Sequence, residues 1–541
     1  MGGMAVATPD TTAPAGEARD ARRWLVLVTM CLSLLLIVVD NTIVNVALPT
    51  LRADLDATAS QLQWIVDAYI LVFAGLLLTM GALGDRFGRR GALALGLSLM
   101  AGASVLSAFA NSADQLIATR AVMGIGGALV MPATLSIITN VFTDRKERAQ
   151  AIAIWSATAG MAIAVGPVTG GWLLEHFWWG SVFLINLPVI AIALLLGQLF
   201  VPTSKDPSAP PVDVPGALLS IGGVTALVYA IIEGPNGWSG TNVVGGFIAA
   251  AVLLTGFVLW ERHTEHPMLD ISLFRNPRFS AASGAISLTF FGMFGTFFIL
   301  TQLLQSVMGY TALQAGIRLL PMAAVQIVVA PTSAKLAERY GGKIIVASGL
   351  AVAAVGMLMT SRISAGAEYR DVAIALVVLA AGFAMMMPSA TEAIMGSVPP
   401  EKAGVGSAVN DTTRELGGAF GVAVLGSIVS STYGPQVRDA VAGTPLPASA
   451  RDAVSDQVGA AMEVASRLPA GPAQLLHDAA ANAFVDGMST ALLVGAGALA
   501  LGSIVVALFL PAHGTEAAGQ ADVDDDADES TGSPGDRKSV V

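Results

Sequence analysis

The sequence predicts an all-α membrane protein built as two six-helix bundles with two extra central helices. Three observations carry that reading: a very apolar composition, charges gathered into short runs between apolar stretches of about 20 residues, and a turn used twice. Of 541 residues, 54% are hydrophobic and 12% charged, whereas soluble proteins carry roughly 25% charged residues; mean hydropathy is +0.69. Backbone groups cannot stay unpaired in hydrocarbon, so each apolar stretch reads as a helix. A β-barrel would alternate apolar and polar residues in runs of about ten, and no such alternation is visible.

Taken in order, the apolar windows place helices at 24–48, 62–82, 91–110, 114–138, 149–174, 180–200, 215–233, 243–260, 280–305, 313–334, 343–361, 372–396, 405–430 and 484–510. Fourteen spans put both termini on one side, and Lys and Arg decide which. With the termini cytoplasmic, only Arg52, Arg362, Arg370, Arg438, Arg451 and Arg467 fall outside, and Arg120, Arg318 and Arg414 fall within helices. Residues 1–21 read as a disordered cytoplasmic N-terminus, and the apolar run after Arg22 and Arg23 is too long for a signal peptide. The Pro-rich stretch 201–214 reads as a stiff linker. Segment 431–483 is long for a loop; acids and Arg interspersed with Ala and Val over 448–467 suggest a short helix pair on the outer surface. Residues 511–541 form an acidic tail, with Asp522, Asp524, Asp525, Asp526, Asp528 and Glu529 supplying much of the net charge of -11, and such a block reads as disordered.

The repeat sets the domain plan. Gly81-Ala82-Leu83-Gly84-Asp85-Arg86-Phe87-Gly88-Arg89-Arg90 recurs as Ala334-Lys335-Leu336-Ala337-Glu338-Arg339-Tyr340-Gly341-Gly342-Lys343. Met131-Pro132 is echoed by Met387-Pro388, and Glu147-Arg148-Ala149 by Glu401-Lys402-Ala403. The first turn follows the second helix and its copy the tenth, so 22–200 and 280–510 are two bundles and 215–260 is an insert. Parallel repeats with a site at their interface are a transporter architecture. Nothing resembles a channel's selectivity filter or ring of charges.

Composition also limits the chemistry. The single Cys31 permits no disulfide within one chain and no Cys-based metal site. His176, His263, His266, His477 and His513 have no metal spacing, and no Gly-Lys-Ser/Thr loop offers ATP a cradle. No cofactor and no enzymatic activity are therefore expected. The expected partners are the bilayer, a small-molecule substrate and protons, with no nucleic acid, and the chain is read as a monomer.

Charges inside membrane helices cost roughly 2.5–3.5 kcal/mol on insertion scales, which makes each a functional candidate. At about 1.5 Å per residue, Asp40, Asp67 and Arg120 share one level in the outer half. Asp40 and Asp67 suit attraction of a lipophilic cation and uptake of a proton; a carboxylate that binds one or the other couples their opposite movements. The plainer alternatives are that Asp67 is interfacial, or that Arg120 pairs with one acid to hold the bundle. On helix 13, Arg414 is spaced to neutralise Asp411, with Glu415 one turn beyond Asp411. Glu392, Glu233 and Arg318 read as interfacial. Asn45, Trp64, Tyr69, Trp155 and Met386 are pocket candidates for flat apolar cations; lipid or helix neighbours are the commoner fate of such side chains. In the twin turns Gly81, Asp85, Arg86, Gly88 and Arg89, with Glu338 and Arg339, suit a cytoplasmic latch of charge-assisted bonds, or simply a positive-inside anchor. Gly166-Pro167 and Gly170-Gly171 would weaken helix 5 locally and permit close packing.

The first turn resembles the signature loop of the major facilitator superfamily. Asp40-Asn41-Thr42-Ile43-Val44-Asn45-Val46-Ala47-Leu48-Pro49 resembles the helix 1 signature of its fourteen-helix drug:proton antiporters, and Trp64-Ile65-Val66-Asp67-Ala68-Tyr69 that of the quaternary-ammonium and multidrug exporter branch. Arg120 with Gly124, and Gly166-Pro167 with Gly170-Gly171, are similar to the family's helix 4 and antiporter motifs; Ala162, Met123 and Trp179-Gly180-Ser181 depart from its usual pattern. The resemblance implies the major facilitator fold, a bacterial cytoplasmic membrane location, efflux driven by a proton gradient rather than ATP, and Asp411 as a substrate contact. The expected function is proton-coupled export of hydrophobic, cationic drugs or antiseptics. Export of an endogenous antibiotic, siderophore or lipid is the alternative. A non-transporting receptor or assembly factor would need neither membrane acids nor twin turns.

Overall fold

The computed structural model describes residues 15–204, 213–265, 267, 269–398, 403–444 and 446–510. The acidic tail, most of the Pro-rich linker, residues 1–14, and Glu401 and Lys402 of the repeat lie outside them. Among the described residues every regular element is helical. The first bundle comprises α1 (Ala15–Leu55), α2 (Ala59–Phe87), α3 (Arg89–Ala108), α4 (Ala113–Val141), α5 (Arg145–His176), α6 (Ser181–Leu184) and α7 (Asn186–Phe200). The insert is α8 (Val214–Glu233) and α9 (Thr241–His263). The second bundle comprises α10 (Pro277–Gln302), α11 (Ala312–Arg318), α12 (Leu320–Tyr340), α13 (Gly342–Thr360), α14 (Tyr369–Met395), α15 (Ala403–Val441), α16 (Ala448–Asp456), α17 (Val458–Ser466) and α18 (Ala470–Phe509). Among the described residues 13 spans are long and apolar enough to cross a membrane. The 32-residue α5 occupies the place of the predicted fifth span but is not among the thirteen, one fewer than the fourteen read from the sequence.

Two predicted single spans are broken where proline removes a donor. The stretch 180–200 breaks at Ile185, four residues after Ser181, because Pro188 has no N–H to offer the Leu184 carbonyl. The stretch 313–334 breaks at Leu319, where Pro321 occupies the first turn of α12. The apolar windows also stop short of helix ends: α15 runs on to Val441 and α18 begins at Ala470. Between them α16 and α17 form the helix pair read from the 448–467 pattern.

The repeat extends to backbone detail. Thr58 and Thr311 each begin a capping box, accepting from Gln61 N and Gln314 N at 3.2 Å while those glutamines accept from the cap N–H. One station earlier, Asp56 and Gly309 both adopt left-handed backbone, φ 52° and 70°. At the twin turns Gly88 and Gly341 hold φ 124° and 89°, a region that disfavours a Cβ.

Each bundle packs internally, α2 on α4 and α1 on α5 in the first, α13 on α14 and α10 on α15 in the second. The bundles meet chiefly through α2 on α15 and α5 on α11. Glycine permits the second contact: a Cβ on Gly316 would lie 2.3 Å from the Pro167 carbonyl oxygen, and one on Gly171 would lie 2.5 Å from Leu313 Cα. At the same end Gln305 Nε2 donates to Val46 O at 2.9 Å, and the α16–α17 hairpin reaches across from the second bundle to the first. There Arg52 pairs with Glu463 at 2.7 Å, Ala59 N donates to Asp456 Oδ2 at 2.8 Å, and Gln457 Nε2 donates to Ala57 O at 2.5 Å. Burial raises the Asp456 carboxyl above the usual range, against the opposing effects of the Ala59 N–H and Arg52.

The insert is more than a spacer. Helix α8 lies along the α2–α15 seam: Ser60 Oγ donates to Glu233 Oε1, Ser427 Oγ donates to Ile231 O at 2.7 Å, and Trp64 packs on Tyr229 with ring centroids 6.4 Å apart.

Candidate functional site

Asp40, Asp67 and Arg120 come from α1, α2 and α4, and each is 0% exposed; Arg120 meets Asp40 and reaches the backbone of Ile65, two residues before Asp67. Their surroundings differ. Arg120 Nη1 forms an ion pair with Asp40 Oδ2, and Arg120 Nε donates to Ile65 O at 3.1 Å. The other Asp40 oxygen accepts from Asn186 Nδ2 at 3.0 Å, and that amide also donates to Ser104 Oγ at 3.2 Å. The Arg120 guanidinium lies 4.4 Å from the centroid of Tyr69, which stacks on Phe73. Helices α1, α2, α3, α4 and α7 are thereby joined at one polar node. Asn186 went unselected in the sequence; its signal is a lone amide in the apolar run Phe183–Leu196.

Neither oxygen of Asp67 has a hydrogen-bond partner among the described residues. One turn before it, Gln63 is 2% exposed, and its Oε1 is likewise unpartnered. Gly426 of α15 makes room for this side chain: an added Cβ there would sit 2.2 Å from Gln63 Nε2. The α2 face carrying Gln63 therefore points at the opposite bundle.

The second bundle contributes α15. Arg414 Nη1 lies 3.4 Å from Asp411 Oδ1, the pairing expected from their spacing, and its guanidinium is 4.7 Å from the Phe290 centroid. Glu415 Oε2 is buried without a partner among the described residues, and Glu415 lies within electrostatic reach of Tyr69 across the interface. One Arg thus faces two acids, and Glu415, noted in the sequence only for its i,i+4 spacing from Asp411 and not chosen as a site residue, joins the candidates here.

Pocket candidates divide. Asn45 Nδ2 donates to Asn41 O at 2.9 Å while its Oδ1 is unpartnered, and the Tyr69 hydroxyl and Trp155 Nε1 are also buried without partners. Trp64 instead belongs to the α8 contact. Met386 is fully buried against Gly349 of α13, in the core of the second bundle. Arg318, read as interfacial, is held between Tyr310 at 3.7 Å and Tyr369 at 5.2 Å.

At the first turn Gly81 packs on Pro132, and the side chain of Asp85 lies outside the described residues. Arg86 is exposed beside Phe87, and Arg89 N donates to Ser204 O at 3.0 Å. Arg90 Nη2 donates to Gln198 Oε1 at 2.6 Å, tying this turn to the end of α7. Glu338 and Arg339 of the second turn are exposed, with Arg339 against Tyr340. In the antiporter motif, Gly166 and Gly170 face Thr42 and Ile43 of α1, while Pro167 and Gly171 face α11.

The family Major Facilitator Superfamily matches residues 30–422. Multidrug efflux pump LfrA of Mycolicibacterium smegmatis is 37% identical over 503 residues, covering 93% of this chain and 98% of its own. Methyl viologen resistance protein SmvA of Salmonella typhimurium is 33% identical, covering 87% and 95%. The tetracenomycin C resistance and export protein of Streptomyces glaucescens is 34% identical, covering 92% and 93%. Among solved structures, a bacterial homolog of the human lysosomal transporter Spinster, inward-facing and unoccupied, matches with a TM-score of 0.62 at 18% identity, over 91% of this chain and 99% of that one.

Proposed function

The chain belongs to the major facilitator superfamily, a multi-pass membrane transporter related to multidrug efflux and resistance proteins, and on that premise we propose that it exports hydrophobic cations in exchange for protons, with Asp67 as the coupling acid. One observation carries this reading: Asp67 is fully buried and neither of its oxygens has a partner among the described residues. An ionised carboxylate in that position is costly, and either a proton or a cation removes the cost. Binding one excludes the other, which is the competition that antiport requires.

Asp40 takes a different part. Its charge is met by Arg120 and its second oxygen by Asn186, so the pair pins α1 to α4 and α7 rather than waiting for a ligand. Asp411, Arg414 and Glu415 set two acids against one base, with Glu415 in electrostatic reach of Tyr69 across the interface. In this reading the acids of α15 and the nearby Tyr69 ring offer a flat cation both charge and an aromatic face. The similarity to methyl viologen resistance protein SmvA supports that chemistry, since methyl viologen is a flat aromatic dication. Another relative's name, a tetracenomycin C export protein, favours a second reading in which the substrate is an aromatic product of the producing cell.

In the proposed cycle both termini are cytoplasmic, the proton gradient supplies the drive without ATP, and one chain suffices. The bundles rock about the site. Contact through α5, α11 and the hairpin closes the outer side, and the first cytoplasmic turn is tied to the end of α7 through Arg90 and Gln198. The test is substrate-induced proton release from proteoliposomes, using tetraphenylphosphonium, methyl viologen and a neutral aromatic. Release by either cation, lost in Asp67→Asn, is the expected result. Release by the neutral compound alone would move the assignment to the second reading, and unchanged release by Asp67→Asn would remove Asp67 from coupling.

A further inference from the structure

A narrow cleft lies between the bundles at the hairpin end, bordered by Gln63 of α2, Gln302 of α10, Ser430 and Tyr433 of α15, and Asp456 and Gln457 of the hairpin. The rest of its wall is apolar, Leu62, Phe298, Val429 and Phe484 among it, so the polar side chains just named are the partners from which a water, needing about two to four, would be held. Gln63 Oε1 is buried without a partner at its wall. Asp67 follows Gln63 by four residues, on the same face of α2 and about 6 Å further along the helix axis. At the mouth, Asp456 is half-buried, with Oδ2 bonded to Ala59 N.

Resting on Asp67 as the coupling acid, we propose that protons reach it from the hairpin face through Asp456, water in the cleft and the Gln63 amide. Asp456 takes a proton from outside and passes it to cleft water. Gln63 orients that water toward Asp67, acting as a positioning residue that need not itself be protonated. The hairpin thus has a chemical part besides its mechanical one.

The charged and titratable groups facing Asp456 are Arg52, which favours its ionised form, and Glu233 and Tyr433; Glu463 engages Arg52. Burial outweighs Arg52 and holds the carboxyl above the usual range. The sign follows: the docked hairpin favours neutral Asp456, so this contribution to docking is present at low pH and is lost as pH rises through the raised value.

The test uses the full chain in proteoliposomes, with a pH jump on the hairpin side and infrared detection of the carboxyl band that Asp67→Asn removes. Every variant is first required to keep the wild-type melting temperature. Gln63→Leu is expected to slow the appearance of that band at least tenfold, and Gln63→Glu to restore it. Gly426→Ala, which displaces the Gln63 head group, should slow it in the same direction. Asp456→Asn should flatten the pH dependence of the rate. Wild-type rates and pH dependence in both Gln63→Leu and Asp456→Asn, with the band still assigned to Asp67, would overturn the route. A band unaffected by Asp67→Asn would instead overturn the coupling role on which the route rests.

Discussion

Asp40 and Asp67 are both aspartates on membrane helices of the first bundle, each removed from solvent. The first has a cation, an amide and through them four neighbouring helices; the second has no hydrogen-bond partner among the described residues. Burial alone therefore does not distinguish a fastening from a working acid. The distinction is whether the charge is already answered. A buried ion pair is weak evidence of net stability, yet removing one partner strands the other at a cost of about 3–5 kcal/mol.

The comparison can be broken in order of expected effect. Asp67→Asn should abolish proton-driven efflux while leaving the melting temperature near wild type, since no hydrogen bond is lost; a large drop in melting temperature would mean that Asp67 is a fastening after all. Arg120→Gln should lower stability by about 3–5 kcal/mol by leaving Asp40 unanswered. The double variant Asp40→Asn/Arg120→Gln should recover part of that loss, and strict additivity in thermal unfolding would show that the pair does not act as a unit. Asn186→Ala should cost about 1–3 kcal/mol, the range for leaving a buried acceptor unsatisfied, with proton coupling intact. Gly171→Ala should cost about 1–3 kcal/mol by crowding the Leu313 backbone, and should reduce cross-linking between α5 and α11. Unchanged cross-linking would show that the close approach is not required.

The spans were legible because hydrocarbon imposes length and polarity on them, and the acids stood out because charge there is expensive. Helix ends were less legible. An apolar window marks where a helix leaves the bilayer, whereas α15 and α18 keep their hydrogen bonds well into the polar segment 431–483. Sharing of a level followed from rise per residue, so Asp40 and Arg120 could be matched in depth. Which of the two acids Arg120 would take depended on helix rotation and on Asn186, five helices along the chain, and one sequence does not supply rotation. Met386 shows the same limit: its neighbour Gly349 sits on another helix, and only the packing of α13 on α14 assigns it to the core. Gln63 and Gly426 form a pair whose meaning appears only when the two bundles are brought together.

Helix α8 closes one flank of the seam between the bundles. Its bonds to α2 and α15 place a third helix where those two meet the lipid, while the opposite flank is made by α5 with α11 and α12. A lipophilic compound already dissolved in the bilayer thus meets two unequal doors, one with a post standing in it. Under the proposed export of lipophilic cations, the two flanks therefore differ in build: the α8 side is shut by an added helix, the α5 side by glycine-tight packing on α11.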